Sequence, residues 1–287
     1  MDLKFIIDEI QKADPEVYEK ISPRRDILKS FGSKVAIAAL PIALGSMFKK
    51  AYGRTSSVVI DTLNFALELE YLEYNFYHSC NTSTTLMIPG TDQPAFATIE
   101  GHELQHVNFL RTAIHNAGGV PYTPNHYSGD PVTGDPYTPL GYDFTAGGMF
   151  PVYTSYATFL TVSQTFEDTG VRAYKGQAGN LQSDPDVLTS ALQIHSVEGR
   201  HASHIRLIRR KAGVADNPKP WITGNIAPAS AVQANYNGED NTTQLTVNIT
   251  SLPGVSGNVT TVCATEAFDE PLTMAAVLPL IAPFILP

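Results

Sequence analysis

The sequence predicts a mainly α-helical fold: a four-helix bundle with a long crossover between helices two and three, followed by a C-terminal extension with some β structure. Three observations lead there. Four stretches within residues 54–215 repeat apolar residues at the three-and-four spacing of an amphipathic helix. Each stretch is bracketed by capping residues, prolines or glycines. Between the second and third, residues 119–150 are rich in Gly, Pro and Tyr and keep no sustained period. A helix of about 24 residues is roughly 36 Å long, and about eleven extended residues span that distance. The segment can therefore run back along the whole bundle and leave helices two and three parallel.

The first helix is expected over Val58–His78, capped by Ser56 or Ser57. Its seam passes through Leu63, Leu67, Glu70, Tyr74 and Tyr77, so a carboxylate interrupts an apolar stripe. Glu73 lies on the neighbouring stripe with Ala66, Leu69 and Phe76, and periodicity leaves open which acid points inward; Glu68 is expected to face solvent. The second helix starts at Asp92 and Pro94 and stops at Gly118-Gly119. Phe96, Ile99, Glu103, His106, Leu110 and Ala113 share its inner face, with Glu100 and His102 off that line. The third is expected over Pro151–Lys175, with Tyr156, Leu160, Ser163, Glu167, Val171 and Tyr174 inward. Asp184-Pro185 opens the fourth, which runs to Lys211 with Val187, Ala191, Ile194, Glu198, His201, Ile205 and Ile208 inward. Arg206, Arg209, Arg210 and Lys211 sit where cations oppose the helix dipole.

The flanks differ in composition from the bundle. Residues 216–287 turn to Asn, Thr, Val and Gly, and the alternation over Gln244–Thr250 predicts a strand. The apolar run that closes the chain is broken by Pro279 and Pro283 and reads as a helix docked on the body, not a membrane span. Residues 1–53 hold 9 Lys/Arg and 7 Asp/Glu, which leaves 10 basic and 21 acidic residues beyond them. That acidic body argues against a nucleic-acid partner. Within the leader, Arg24-Arg25 precede an apolar run from Val35 to Phe48 and then Ala51-Tyr52-Gly53, an order that resembles a twin-arginine signal. It implies export of a folded protein by the twin-arginine machinery to the periplasm or the extracellular space, with membrane tethering if the leader is retained. Cys80 and Cys263 are too few for a disulfide framework or a cysteine-based zinc site.

The chemistry lies in the acids and imidazoles on the seams. Glu103-Leu104-Gln105-His106 and Glu198-Gly199-Arg200-His201 repeat one spacing, which on a helix aims a carboxylate and an imidazole at one point. With 13 Glu and 8 His in the chain, chance supplies about 0.4 such pairs, so one copy is weak and two mid-seam copies are informative. In order, the helices offer Glu, Glu-x-x-His, Glu, Glu-x-x-His. Four buried carboxylates without partners would cost several kcal/mol each, about the penalty for an uncompensated buried charge. Two divalent cations would neutralise them, with neutral imidazoles adding ligands but no charge.

At these residues the chain resembles the ferritin-like superfamily, in particular bacterial ferritin-like proteins of the secreted and desiccation-related kind. The resemblance covers about residues 57–212, and Phe268–Val277 is similar to that family's C-terminal segment. It implies metal ligands at Glu70, Glu103, His106, Glu167, Glu198 and His201. Glu70 is preferred to Glu73 because Tyr77 stands seven residues on, as an aromatic commonly does in the superfamily. It further implies that Glu103 and Glu198 bridge two iron or manganese ions while Glu70 and Glu167 are terminal. The same residues would then be catalytic, with O₂ or H₂O₂ as small-molecule substrate in ferroxidase, peroxidase or manganese-catalase chemistry within stress defence. A homo-oligomer is compatible with the pattern, although the tail after residue 215 argues against a closed storage shell. The alternative is a non-catalytic, secreted structural or stress-protective module whose metals only hold the core together.

Overall fold

The computed structural model describes residues 56–214 and 216–287. The expected leader over residues 1–53 lies outside the described residues. Four long helices form: α1 Ser57–Asn81, α2 Gln93–Asn116, α3 Tyr156–Gln177 and α4 Pro185–Lys211. Ser56, Ser155 and Asp184 cap α1, α3 and α4 by accepting from backbone N–H groups of Val59, Thr158 and Val187. Asp92 opens α2 differently: its carboxylate caps nothing, and accepts instead from the Tyr156 hydroxyl at 2.9 Å and Lys211 Nζ at 3.1 Å. The start of α2, the start of α3 and the end of α4 therefore meet at one end. Helices two and three are parallel, as the long crossover requires.

α3 begins five positions later than the pattern over Pro151–Lys175 suggests. The carbonyl of Pro151 closes turns onto the N–H groups of Thr154 and Ser155, and Ser155 then supplies the cap. The crossover, residues 117–155, follows α1 along its length. Asn64 pairs with Val120 and Tyr122, Asn75 with Pro136 and Thr138, and Thr85 with Tyr153. Arg111 of α2, buried, donates to the carbonyls of Pro131 and Gly134 at 2.6 and 2.8 Å and pins the middle of the segment. Because the crossover covers the flank that a plain bundle would expose, Glu68 is half-buried and hydrogen-bonds Tyr122, where the sequence alone puts it in solvent.

α1 packs along α2 and α3 along α4. At the end where α2 and α3 begin, Phe76, Tyr77, Phe96, Tyr156 and Phe159 interlock. Phe96 and Phe159 meet edge-to-face at 4.7 Å and Phe76 stacks on Phe159 at 5.5 Å. Offset and edge contacts of this kind add about 0.5–1.5 kcal/mol each beyond the area they bury.

The tail folds against α3. It contains a 3-10 turn at Ser230–Tyr236, two short hairpins, and helices α5 Thr261–Glu266 and α6 Met274–Ile281. The strand expected over Gln244–Thr250 is instead a hairpin, β1 Thr243–Gln244 with β2 Val247–Asn248. Leu245 and Thr246 turn the chain between them with φ of 54° and 107°, so the alternation is interrupted at its centre. A second hairpin pairs β3 Pro253–Gly254 with β4 Gly257–Asn258. Buried Arg172 of α3 donates to the carbonyls of Asn237 and Glu270 and pairs with Glu239 at 2.7 Å. Gly176 lets the tail lie close: a Cβ there would stand 1.9 Å from the Leu272 carbonyl oxygen. The closing apolar run docks as expected, with Val277, Ile281 and Phe284 buried and Phe284 edge-on to Phe166 at 4.9 Å. Among the described residues no helix is long and apolar enough to cross a membrane, and both cysteines are free thiols, Cys80 buried and Cys263 exposed.

Candidate metal centre

Glu70, Glu103, Glu167 and Glu198 are each fully buried, one in the middle of each helix, and His201 is almost so. His106 keeps an edge to the surface at 12% side-chain exposure. The structure brings all six together in two overlapping groups. Glu70, Glu103, His106 and Glu198 form one, and Glu103, Glu167, Glu198 and His201 the other; within each, one ligand atom per residue lies within 4.8 Å of the rest. Glu103 and Glu198 belong to both.

The geometry around the imidazoles fits a cation better than hydrogen bonds. His106 Nδ1 stands 2.9 Å from Glu103, 3.1 Å from Glu70 and 3.2 Å from Glu198. His201 Nδ1 stands 2.9 Å from Glu103, 3.1 Å from Glu167 and 3.6 Å from Glu198. One ring nitrogen carries at most one hydrogen, and it cannot serve three carboxylates at once. Accordingly Glu103 Oε1 and both Glu198 oxygens are buried with no properly directed hydrogen bond among the described residues, despite those short distances. Carboxylate and imidazole donors converging on one point are the donor set of Mn, Fe or Zn.

Electrostatics agree. Burial drives the carboxyls of Glu70 and Glu167 upward, Glu70 to about 8, against the opposing pull of His106 and His201 respectively. Burial also acts on Glu103 and Glu198, but the two imidazoles hold both below the usual carboxylate range. Both imidazoles are in turn raised, since the surrounding carboxylates outweigh their desolvation. Burial thus disfavours charge on Glu70 and Glu167, while the imidazoles favour it on Glu103 and Glu198.

Around the cluster a second set of side chains repeats the two-fold pattern. Tyr77 Oη donates to Glu167 Oε1 at 2.5 Å, and Tyr174 Oη donates to Glu70 Oε1, so each tyrosine crosses to the acid of the other hairpin. Periodicity places both tyrosines in the core; the signal for this role is the spacing Glu-x₆-Tyr, which occurs at Glu70-Tyr77 and again at Glu167-Tyr174. His102, exposed and off the seam, stacks on His201 with its Nδ1 2.9 Å from His201 Nε2. Beside Glu167, Asp168 is clamped by both guanidinium nitrogens of Arg206 and accepts from Tyr236 Oη at 2.6 Å, tying the tail to the back of the site. Glu73 is buried too, at 3% exposure, and belongs to neither ligand group. His204 is exposed on the far turn of α4.

Fold and cluster together define a class: a four-helix bundle that buries a Glu/His cluster, consistent with a metal site, between two helical hairpins. The family described as Ferritin-like domain matches residues 59–211, more than half of the chain and all four long helices, and the chain belongs to that family. Among curated proteins there is no match.

Proposed function

We propose that the protein holds two redox-active divalent ions, iron or manganese, at Glu70, Glu103, His106, Glu167, Glu198 and His201, and uses them on O₂ or H₂O₂. The observation that carries this reading is the sharing of Glu103 and Glu198 by two four-residue ligand groups. Bound iron or manganese would supply two-electron exchange with a dioxygen or peroxide substrate. The chain's own residues do the rest. Glu103 and Glu198, common to both groups, would serve both ions, while Tyr77 and Tyr174 orient Glu167 and Glu70 from across the bundle. Aromatic packing at one end excludes bulk water. A surface groove of about 500 Å³, walled by Pro94, Ile99 and Val197 with His102, Arg200 and His204 at its polar side, reaches the His201 edge and offers a small solute a way in.

The decisive experiment is metal analysis of the natively purified protein, followed by O₂ and H₂O₂ consumption with Fe²⁺ or Mn²⁺. Two ions per chain and turnover abolished by Glu103→Ala support the reading. A stable, metal-free protein without turnover sinks it; two ions bound without turnover leave the structural module. Because ligands must shed protons to bind, loading should release protons and tighten as pH rises. Export through the twin-arginine machinery rests on Arg24-Arg25 and the apolar run that follows. A native N-terminus at Met1 in the cytoplasm would overturn it.

A further inference from the structure

His102 belongs to neither ligand group and sits on the exposed side of α2, yet its ring is aimed at the cluster. Its Nδ1 lies 2.9 Å from His201 Nε2, and the planes of the two rings are 12° apart. At that distance one nitrogen must donate and the other accept. The remaining nitrogen of His201, Nδ1, faces Glu103, Glu167 and Glu198. An ion among those carboxylates needs a lone pair on Nδ1, which leaves the ring hydrogen on Nε2 and makes His102 Nδ1 the acceptor. One assignment of hydrogens therefore serves both faces of the His201 ring.

The other imidazole is served differently. His106 also turns Nδ1 to the acids, but among the described residues no hydrogen bond reaches its Nε2. The sequence supplies the reason. Laid on one another, the two Glu-x-x-His copies put Val197 before Glu198 where His102 stands before Glu103, and a valine side chain accepts nothing. His102 and Val197 line the same groove between α2 and α4, so the two-fold pattern of the site breaks at this pair.

We propose that His102 is a positioning residue, which holds His201 in the orientation and tautomer that present Nδ1 to an ion, and so makes the position at His201 bind more tightly than the one at His106. The inference rests on the metal reading above and adds an order of filling to it. An imidazole that gives its far hydrogen to an acceptor is fixed in rotation and is the more basic ligand at its near nitrogen. His201 has such an acceptor in His102, and His106 has none among the described residues.

The test is a calorimetric titration of Co²⁺ into the metal-free full chain. The parent binds two Co²⁺, one more tightly than the other. His102→Leu, which fills similar space without an acceptor, weakens the tighter step by about 10–100-fold, the usual cost of removing such a partner, and leaves the other unchanged. His102→Asn recovers most of that loss, because its Oδ1 stands as many bonds from Cα as the imidazole Nδ1 and accepts in its stead. His102 is exposed, so neither change opens the core. Equal steps in the parent, an undiminished tighter step in His102→Leu, or an Asn variant no better than the Leu variant overturns the proposal. A parent protein that binds no Co²⁺ overturns the metal reading itself, so the two failures are distinguishable.

Discussion

Tyr77 and Tyr174 each place a hydroxyl against a buried acid of the opposite hairpin. Removing either should cost more than a surface hydrogen bond, because the acid left behind is fully buried. Tyr77→Phe and Tyr174→Phe are each expected to destabilise the protein by about 1–3 kcal/mol, the range for a buried polar group stripped of its partner. Paired denaturant melts of variant and parent measure this, and values indistinguishable from zero would show the hydroxyls to be incidental. At this scale much of the cluster was legible: repeated spacings and mid-seam acids single out the six residues that the structure brings together. The choice between Glu70 and Glu73 was not, since both stripes of α1 are buried against other helices, Glu70 by His106 and Tyr174 and Glu73 by Gly170.

Helices were legible because each carries its own period and three of the four a side-chain cap, information local to about twenty residues. The start of α3 was less so. Pro151 is an acceptable first-turn residue, but here its carbonyl closes a turn, and Ser155 wins as the cap. The hairpin at Thr243–Asn248 was hidden for a different reason: Leu245 and Thr246 adopt positive φ without the Gly or Asn that usually marks such a turn. Within the elements, Phe159 of α3 is the ring with most neighbours in the aromatic end, touching Phe76, Tyr77, Phe96 and Tyr156. Phe159→Ala is expected to cost about 3–5 kcal/mol, as for other large aromatic truncations in tight cores. Thermal unfolding of the variant checks it; a loss under 1 kcal/mol, roughly that of a tolerated swap, would mean the end of the bundle repacks freely.

Across the whole molecule, the composition shift at residue 216 reads as a change of module, yet the tail is fastened to α3 by buried charge. Such contacts join residues far apart in sequence, which local periodicity cannot reveal. Arg172 pairs with Glu239, while Glu270 N–H donates to the same carboxylate and Asp269 crowds it. Burial, reinforced by the charge of Asp269, pushes Glu239 up to about 8 from an ordinary 4.5, against the pull of Arg172. A raised acid binds its proton more tightly in the folded state, so its contribution is full below about 4.5 and is lost as pH rises through about 8. Stability of the parent should therefore decline across that window more steeply than that of Glu239→Gln. Denaturant midpoints at a series of pH values test this, and parallel curves for the two proteins would refute it.

Residues 284–286 close the far side of the crossover. Tyr142 and Ile285 form an antiparallel bridge, Asp143 N–H donates to the Phe284 carbonyl, and Leu286 N–H donates to that of Gly141. The two partners of this bridge are made at very different times. At about 5–20 residues per second, a ribosome reaches Ile285 roughly 7–29 s after Tyr142. Throughout that interval the four helices can collapse and Asn64, Asn75 and Arg111 can already hold the crossover, but its Tyr142 end has no partner strand. The stretch around Gly141–Asp143 is therefore paired only once the tail has been made, later than the parts of the crossover that α1 and α2 hold themselves.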